Sequence, residues 1–414
     1  MDRRKFVLSA AAAAACVSAQ ATSPGARIKR IRISLLTGRF HKVVAMNAYD
    51  QAAKGRTYQH VLIRIETRQG VEGIGAGTYV LDLNFYAEAL RYLIGKDPLS
   101  LYEMDGGRIV RAAPSFFEFQ RKHQYLDGPL FDLIGKMTGK PAWGLIGGAV
   151  RDQVDCYDGT LYFADVLHPE RGVEAVVDEA RESVSAGFHA IKLKLGRGSK
   201  WMERKAGDER DIAIVHAVRK AVGPDVLVMV DPNYGYDAEP QQAWTLLEET
   251  KADRLHWIEQ PFKINLEQYS RLKDKMAAAN IQTLIADGEQ MDHAEQLEPY
   301  LKPRRLVDVV QLDARRSGFL GNAEAARLAE AAGSICIPHN WASQIGHLMG
   351  LHLAKAVKPV PWAEDDRSRC DVLIVSGYRF GAPKQTISNR PGLGIAIDEK
   401  VYDTQCKPSE RVFA

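Results

Sequence analysis

The run Ile191-Lys192-Leu193-Lys194-Leu195 sets two lysines two positions apart among apolar residues. Such a run reads as a buried parallel strand, and side-chain alternation puts both lysines on one face. Two ammonium groups inside a core are costly unless anions face them. By itself Lys-x-Lys is better explained as the wet face of an edge strand. The downstream sequence reverses that reading. Asp231 (in Val230-Asp231-Pro232-Asn233), Glu259 (in Ile258-Glu259-Gln260-Pro261) and Glu289 (in Ala286-Asp287-Gly288-Glu289) each follow a strand-like run. Three carboxylates make a hard oxygen site suited to Mg²⁺. Asp313 and His339 follow two further runs, and Glu364 follows a last one. One acid after a strand is usually a helix cap, and one histidine there is usually structural. Seven successive strands ending in ionisable groups imply instead a metal flanked by lysines on one side and an Asp–His pair on the other.

Those residues need a scaffold that gathers strand ends. Strand patterns at Val154–Tyr157, Ala190–Leu195, Val226–Val230, Leu255–Ile258, Thr283–Ala286, Val309–Leu312, Ser334–Ile337 and Val360–Trp362 alternate with helical ones. Regular alternation of this kind predicts a parallel barrel, whose strand C-termini carry the catalytic side chains. A doubly wound open sheet is the runner-up, but no Gly-x-Gly-x-x-Gly follows a first strand. Upstream, strands near Ile28–Ile33 and His60–Thr67 flank a polar insert, Thr37–Tyr58. Long loops in compact domains are commonly functional, so Arg39, His41, Asn47 and Tyr49 are candidate substrate contacts, with Asn233 from the barrel. Helical patterns follow at Phe85–Ile94, Leu101–Arg111 and Gln120–Thr138, and the glycine- and proline-bearing Gly139–Gly148 marks a junction. The tail after Arg367 carries short strands and is expected to return to the first lobe. The expectation is therefore an α/β chain: an α+β capping domain over 22–150, a modified (β/α)7β TIM barrel over 151–365, and a return segment over 366–414.

With these motifs in place, the chain resembles the enolase superfamily and, within it, the mandelate racemase subgroup. The resemblance rests on Lys192-x-Lys194, on Asp231, Glu259 and Glu289, on Asp313 with His339, and on Glu364. It implies Mg²⁺ held by the three carboxylates, and abstraction of a proton α to a carboxylate through an enediolate. Lys194 is then the base on one face, with Lys192 nearby to lower its pKa and bind the substrate carboxylate. His339, oriented by Asp313, serves the other face, and Glu364, if protonated, donates to the carboxylate. The muconate-lactonising branch would carry a lysine at the end of the sixth strand, where this chain has Leu312-Asp313-Ala314-Arg315. Asp308 rivals Asp313 for the dyad but lies at the entry of that strand. Asp287 is read as a lysine or metal contact, or equally as a helix cap. Dehydration of an acid sugar to a 2-keto-3-deoxy acid is favoured by the polar insert. The alternatives are a two-base racemase or epimerase of a 2-hydroxy acid, and a non-catalytic sugar-acid binding protein. Symmetric homo-oligomers are expected for this group.

The 414 residues carry a net charge of +3, with both signs spread along the chain. Nothing in that distribution points to nucleic acid or a polybasic membrane surface. The N-terminus differs. Arg3-Arg4 precedes an apolar run, Ala10–Val17, and Ala19-Gln20-Ala21 offers a cleavage site, the pattern of a twin-arginine export signal over 1–21. A periplasmic enzyme is the expectation. The alternative is a basic start to a short helix. The run is too short for a permanent membrane span, and Ala13-Ala14-Ala15 before Cys16 is a poor context for a lipid anchor. Cys156, Cys336, Cys370 and Cys406 show no Cys-x-x-Cys spacing, which argues against a zinc site.

Overall fold

The computed structural model describes residues 26–414, so the export-signal expectation falls outside the described residues. Strands β1 (Ile28–Val44), β2 (Gly55–Thr67) and β3 (Glu72–Ala76) form an antiparallel meander. β1 largely alternates buried with half-buried or exposed positions, whereas β2 is buried on both faces from His60 to Ile65. The strands run further than the sequence suggests, and only residues 45–54 of the expected polar insert are irregular. A second difference lies at Leu101–Arg111, where a helix is expected. The segment is a hairpin of β4 (Tyr102–Asp105) and β5 (Arg108–Ala112). Gly106 and Gly107 sit between them at φ +57° and +77°, a pair of left-handed positions that closes a two-residue hairpin and cannot continue a helix. The expected helix at Gln120–Thr138 is broken at His123 into Phe117–Lys122 and Asp127–Thr138.

The barrel strands are β6 (Gln153–Leu161), β7 (Ala190–Lys194), β8 (Leu227–Asp231), β9 (Trp257–Glu259), β10 (Leu284–Asp287), β11 (Val309–Val310), β12 (Ile335–Cys336) and β13 (Trp362–Asp365). They pair in parallel in the order β12-β11-β10-β9-β8-β7-β6-β13, and the Cys336 amide donates to the Pro359 carbonyl (2.8 Å) across the remaining gap. The inward positions below the site are filled by Tyr157, Met229, Trp257, Val309 and Ile337, a floor of large apolar groups. Amphipathic helices between the strands cover the outside, for example Val173–Ser185 and Leu266–Ala278.

The tail does return. Its strands are β14 (Leu373–Val375), β15 (Lys384–Thr386), β16 (Ile395–Ile397) and β17 (Arg411–Phe413). β15 pairs with β6, and β17 joins β1, giving a capping sheet of order β17-β1-β2-β3. The four cysteines of the described chain are buried and free. Among the described residues no helix is long and apolar enough to cross a membrane.

Candidate active site

Parity decides what the barrel presents at its mouth. On β7 the inward positions are Ala190, Lys192 and Lys194, above the floor and beside Asp231 at the end of β8. Lys192 is 1% exposed and donates to Glu259 Oε1 (2.8 Å), with Glu364 Oε1 at 2.8 Å and Asp231 Oδ2 at 3.6 Å. Lys194 pairs with Asp231 Oδ2 and stands over the Tyr162 ring at 5.3 Å. The lysine face is thus a buried wall with its anions already in place. Glu364 reaches Lys192 because β6 has Gly159 opposite it, where a Cβ would lie 2.7 Å from Glu364 Oε1.

The other wall is the Asp313–His339 pair. His339 Nδ1 donates to Asp313 Oδ2 (2.8 Å), and Nε2 lies 3.0 Å from Glu289 Oε2. Asp313 Oδ1 accepts the backbone amides of Arg315 and Arg316 (2.9 and 2.8 Å). Burial works against the Asp313 charge, but His339, Arg315 and Tyr79 hold its carboxyl down at about 2. An acceptor-only carboxylate fixes the tautomer with the proton on Nδ1 and leaves Nε2 facing inward. Burial likewise opposes the His339 charge, yet Glu289, Asp313 and Glu364 raise it to about 9.

Asp231, Glu259 and Glu289 come from three adjacent strands and are all buried. Glu289 would face outward by parity with Ala286, but Gly288, at φ +128°, turns the chain and swings it in. Burial pushes Glu259 up to about 8, with Lys192 pulling the other way. Asp231 is held low against burial by Lys194 and Lys192. Three buried oxygen donors of this type suit a hard divalent cation. As they stand, no three such groups among the described residues converge on one ion-sized point, since each carboxylate is drawn onto a lysine or onto His339. The donor set fits Mg²⁺ in chemistry, and loading would require those ion pairs to loosen.

Lys194, His339, Glu289, Glu364 and Asn233 open on one cavity of about 580 Å³, together with Tyr49 of the capping lobe. Asn47 donates to Asn233 Oδ1 (3.1 Å) and so joins the 45–54 loop to the barrel mouth. Asn233 does not cap the next helix, which starts at Gln241. Asn233, Tyr234 and Gln260 all have positive φ, a strain concentrated just past β8 and β9.

Six expectations need correction. Asn47 is fully buried, spends its amide on Asn233, Tyr49 and Asp50, and does not line the cavity, so it supports the site and does not contact substrate. Arg39 is 60% exposed and pairs with Asp371 on the surface, because β1 continues through it. His41 faces Glu182 and Asp158 on the same extended strand, away from the cavity. Asp287 turns outward, accepting from Tyr269 Oη (2.5 Å) and the Gly288 amide (2.6 Å), so it contacts neither lysine nor metal site and caps no helix. Lys192 does not line the cavity, where the resemblance would have it bind the substrate. Glu364 is held ionised by Lys192 and His339 despite its burial, which removes it as a proton donor in this state. Asp308, at the opposite end of its strand, is bound by Lys273 and Arg305.

Five aromatic residues of the cavity escape the strand-end reading: Tyr79, Phe85, Tyr125, Tyr162 and Trp341. Tyr162 and Trp341 stack at 4.9 Å, and Trp341 stacks in turn on Phe40 at 5.0 Å. Tyr162 lies one residue past the first barrel strand, a position the same reasoning would have found. Nothing in the sequence marks Tyr79.

A parallel barrel that opens two proton-transfer side chains and buried carboxylates onto one capped cavity defines an enzyme that acts on carboxylate substrates by acid–base chemistry. The family described as Enolase C-terminal domain-like matches residues 175–401, more than half of the chain, and the chain belongs to that family, within the mandelate racemase/enolase superfamily. It is 30% identical over 295 residues to a D-galactarolactone cycloisomerase of Agrobacterium fabrum (66% of this chain, 70% of that protein). It is 26% identical over 391 residues to a D-xylonate dehydratase of Haloferax volcanii (86% and 87%). Among solved structures, a galacturonate dehydratase from Geobacillus sp., complexed with D-galacturonate and 5-keto-4-deoxy-D-galacturonate, superposes with TM-score 0.81 at 26% identity, covering 95% of this chain and 100% of that one. A mutant of the same dehydratase complexed with Mg superposes at 0.80 and 27% identity (93% and 96%).

Proposed function

We propose that the protein dehydrates an acid sugar to a 2-keto-3-deoxy acid, using Mg²⁺ held by Asp231, Glu259 and Glu289. The observation that carries this reading is that Lys194 and His339 open on the same cavity from opposite walls. A reaction that removes one proton and delivers another to a leaving hydroxyl needs two such groups, each within reach of the substrate. The similarity to dehydratases of xylonate and galacturonate supports the substrate class.

The α-proton of a carboxylate is weakly acidic, and Mg²⁺ would supply the positive charge that offsets the second negative charge left by its removal. Lys194 Nζ takes that proton in its neutral form. His339 Nε2 gives its proton to the departing β-hydroxyl, which leaves as water, and the enol product tautomerises to the 2-keto acid. Asp313 holds the imidazole in the tautomer this step requires. Tyr49, Tyr162 and Trp341 offer aromatic faces to the sugar carbons, and Asn233, held by Asn47 from behind, offers its amide to a hydroxyl. Lys192 keeps Glu259 and Glu364 charge-balanced and does not touch substrate.

Incubation with a panel of acid sugars and Mg²⁺, read by 2-keto acid formation and by α-deuterium exchange in D2O, tests the assignment. Keto acid from at least one of them is the expected result. Exchange with inversion and no keto acid would replace it with epimerisation, and no exchange on any acid with Mg²⁺ bound would leave a binding protein. We also infer export by the twin-arginine route, supported by Arg3-Arg4 and Ala19-Gln20-Ala21, and a homo-oligomeric state. Cell fractionation with a lysine pair in place of Arg3-Arg4, and light scattering, test these two.

A further inference from the structure

We propose that Tyr79, from the capping lobe, is a positioning residue for the Asp313–His339 dyad. Its kinetic arm rests on the dehydratase reading, and its spectroscopic arm does not. The Tyr79 hydroxyl donates to Asp313 Oδ2 at 2.6 Å, the same oxygen that accepts His339 Nδ1 at 2.8 Å. The other oxygen, Oδ1, is taken by the Arg315 and Arg316 amides. Every acceptor direction of this carboxylate is therefore assigned, and only the Tyr79 contact comes from outside the barrel. Without it, the half of the carboxylate that orients the imidazole is held by the imidazole alone. A charge-assisted O–H···O⁻ bond of this length is among the stronger neutral-to-ion contacts a side chain can make.

The tyrosine is itself braced. Its ring lies 4.2 Å from the Arg315 guanidinium, which donates to the Trp341 carbonyl at 3.1 Å on the cavity wall. The short segment that carries it is tied back where buried Tyr86 donates to the Val80 carbonyl (2.7 Å) and Thr78 Oγ1 accepts the Val80 amide (3.2 Å). Tyr79 also lines the cavity. The same side chain that meets the outer part of a bound substrate thus holds the group behind His339. Seating of the capping segment and alignment of the imidazole are one event, not two. A misplacement of a reacting group by about 1 Å costs on the order of 100-fold in rate.

Tyr79→Phe removes the hydroxyl and keeps the ring on Arg315. The expected result is a folded protein with unchanged melting temperature, kcat lower by about 10- to 100-fold and KM within about twofold. Exchange of the α-proton through Lys194 persists in the variant, while departure of the β-hydroxyl, which His339 serves, falls with kcat. In the resting enzyme the downfield ¹H resonance of the His339 Nδ1 proton, present in wild type, shifts or broadens in the variant. An unchanged Nδ1 resonance overturns the inference whatever the enzyme turns over. So does a rise in KM at unchanged kcat, which would make Tyr79 a substrate contact, or an equal loss of α-proton exchange and of keto acid formation, which would make it a general support. Absence of turnover and exchange in wild type would sink the dehydratase reading, and the resonance comparison would still decide the role of Tyr79. Tyr79→Leu, which loses the stack as well, is expected to lower the melting temperature, and this separates packing from the hydrogen bond.

Discussion

Replacing Lys192 by methionine keeps most of the side-chain length and deletes the ammonium, its charge and its hydrogen-bond donors together. Lys192 stands 2.8 Å from Glu259 and from Glu364 and 3.6 Å from Asp231, and all four are buried. Removing one partner of a buried ion pair costs about 3–5 kcal/mol, because the remaining charge keeps its desolvation penalty. With a urea slope of about 3 kcal/mol/M, the unfolding midpoint in EDTA falls by about 1–1.7 M. The same carboxylates are then free of their competing ammonium, so a divalent cation replaces the missing charge. At 100 times its dissociation constant, Mg²⁺ returns about 2.7 kcal/mol to whichever form it binds. The Mg²⁺-induced rise in midpoint is therefore expected to be larger in the variant than in wild type at equal Mg²⁺, since the variant binds it more tightly. Urea unfolding followed by circular dichroism, with EDTA and across a Mg²⁺ series, measures both quantities. A loss below about 1 kcal/mol in EDTA, or an equal Mg²⁺ response in the two proteins, would refute the charge-balance reasoning.

Other expectations follow from the same geometry. His339 has a folded pKa of about 9, against about 6.5 unfolded. Its contribution to stability is fully present below pH 6.5 and is lost as pH rises through 9. That amounts to about 3 kcal/mol in the metal-free protein, and His339→Asn should flatten the stability–pH curve across this window. An identical slope in the variant would contradict the assignment. Asp287→Asn should leave Mg²⁺ affinity within about twofold of wild type, whereas Asp231→Asn, Glu259→Gln and Glu289→Gln each lower it by at least about tenfold, read by calorimetry. Arg39→Ala should leave kcat and KM unchanged, since its partner Asp371 is also exposed. Tyr49→Ala should raise KM severalfold, because its ring faces the cavity.

The barrel was legible because its signals are local and repeated. Each strand is a short apolar run followed by an ionisable residue, and each helix shows a 3.6-residue apolar period. The lysine wall and the Asp313–His339 wall followed from parity once the strands were in register. Errors arose where the backbone breaks that parity. Gly288 inverts the facing of Glu289 relative to its strand, so counting by twos put Asp287 on the wrong side. The Leu101–Arg111 hairpin looks helical in the sequence because Leu101, Met104 and Ile109 also fit a helical spacing, and the turn depends on Gly106-Gly107. Arg39 and His41 read as loop residues in the sequence because a polar strand on a capping sheet alternates too weakly to be seen. Tyr79 was invisible for a different reason. Its partner lies 234 residues away, and no local pattern records a contact between two lobes.

The pairing of β17 with β1 bears on how this chain survives its own synthesis. The Ser409 hydroxyl accepts the Leu35 amide across 374 positions, and Phe413 lies opposite Ile31. Until the ribosome has delivered residues 411–413, β1 has its outer edge bare, beside the buried apolar positions Ile31 and Ile33. Contacts this distant in sequence form late, because the loop between them must first be closed. An unpaired strand edge is meanwhile a template for neighbouring chains. A chain truncated before residue 411 would thus keep every catalytic group and the whole barrel, and would show itself as aggregation during expression.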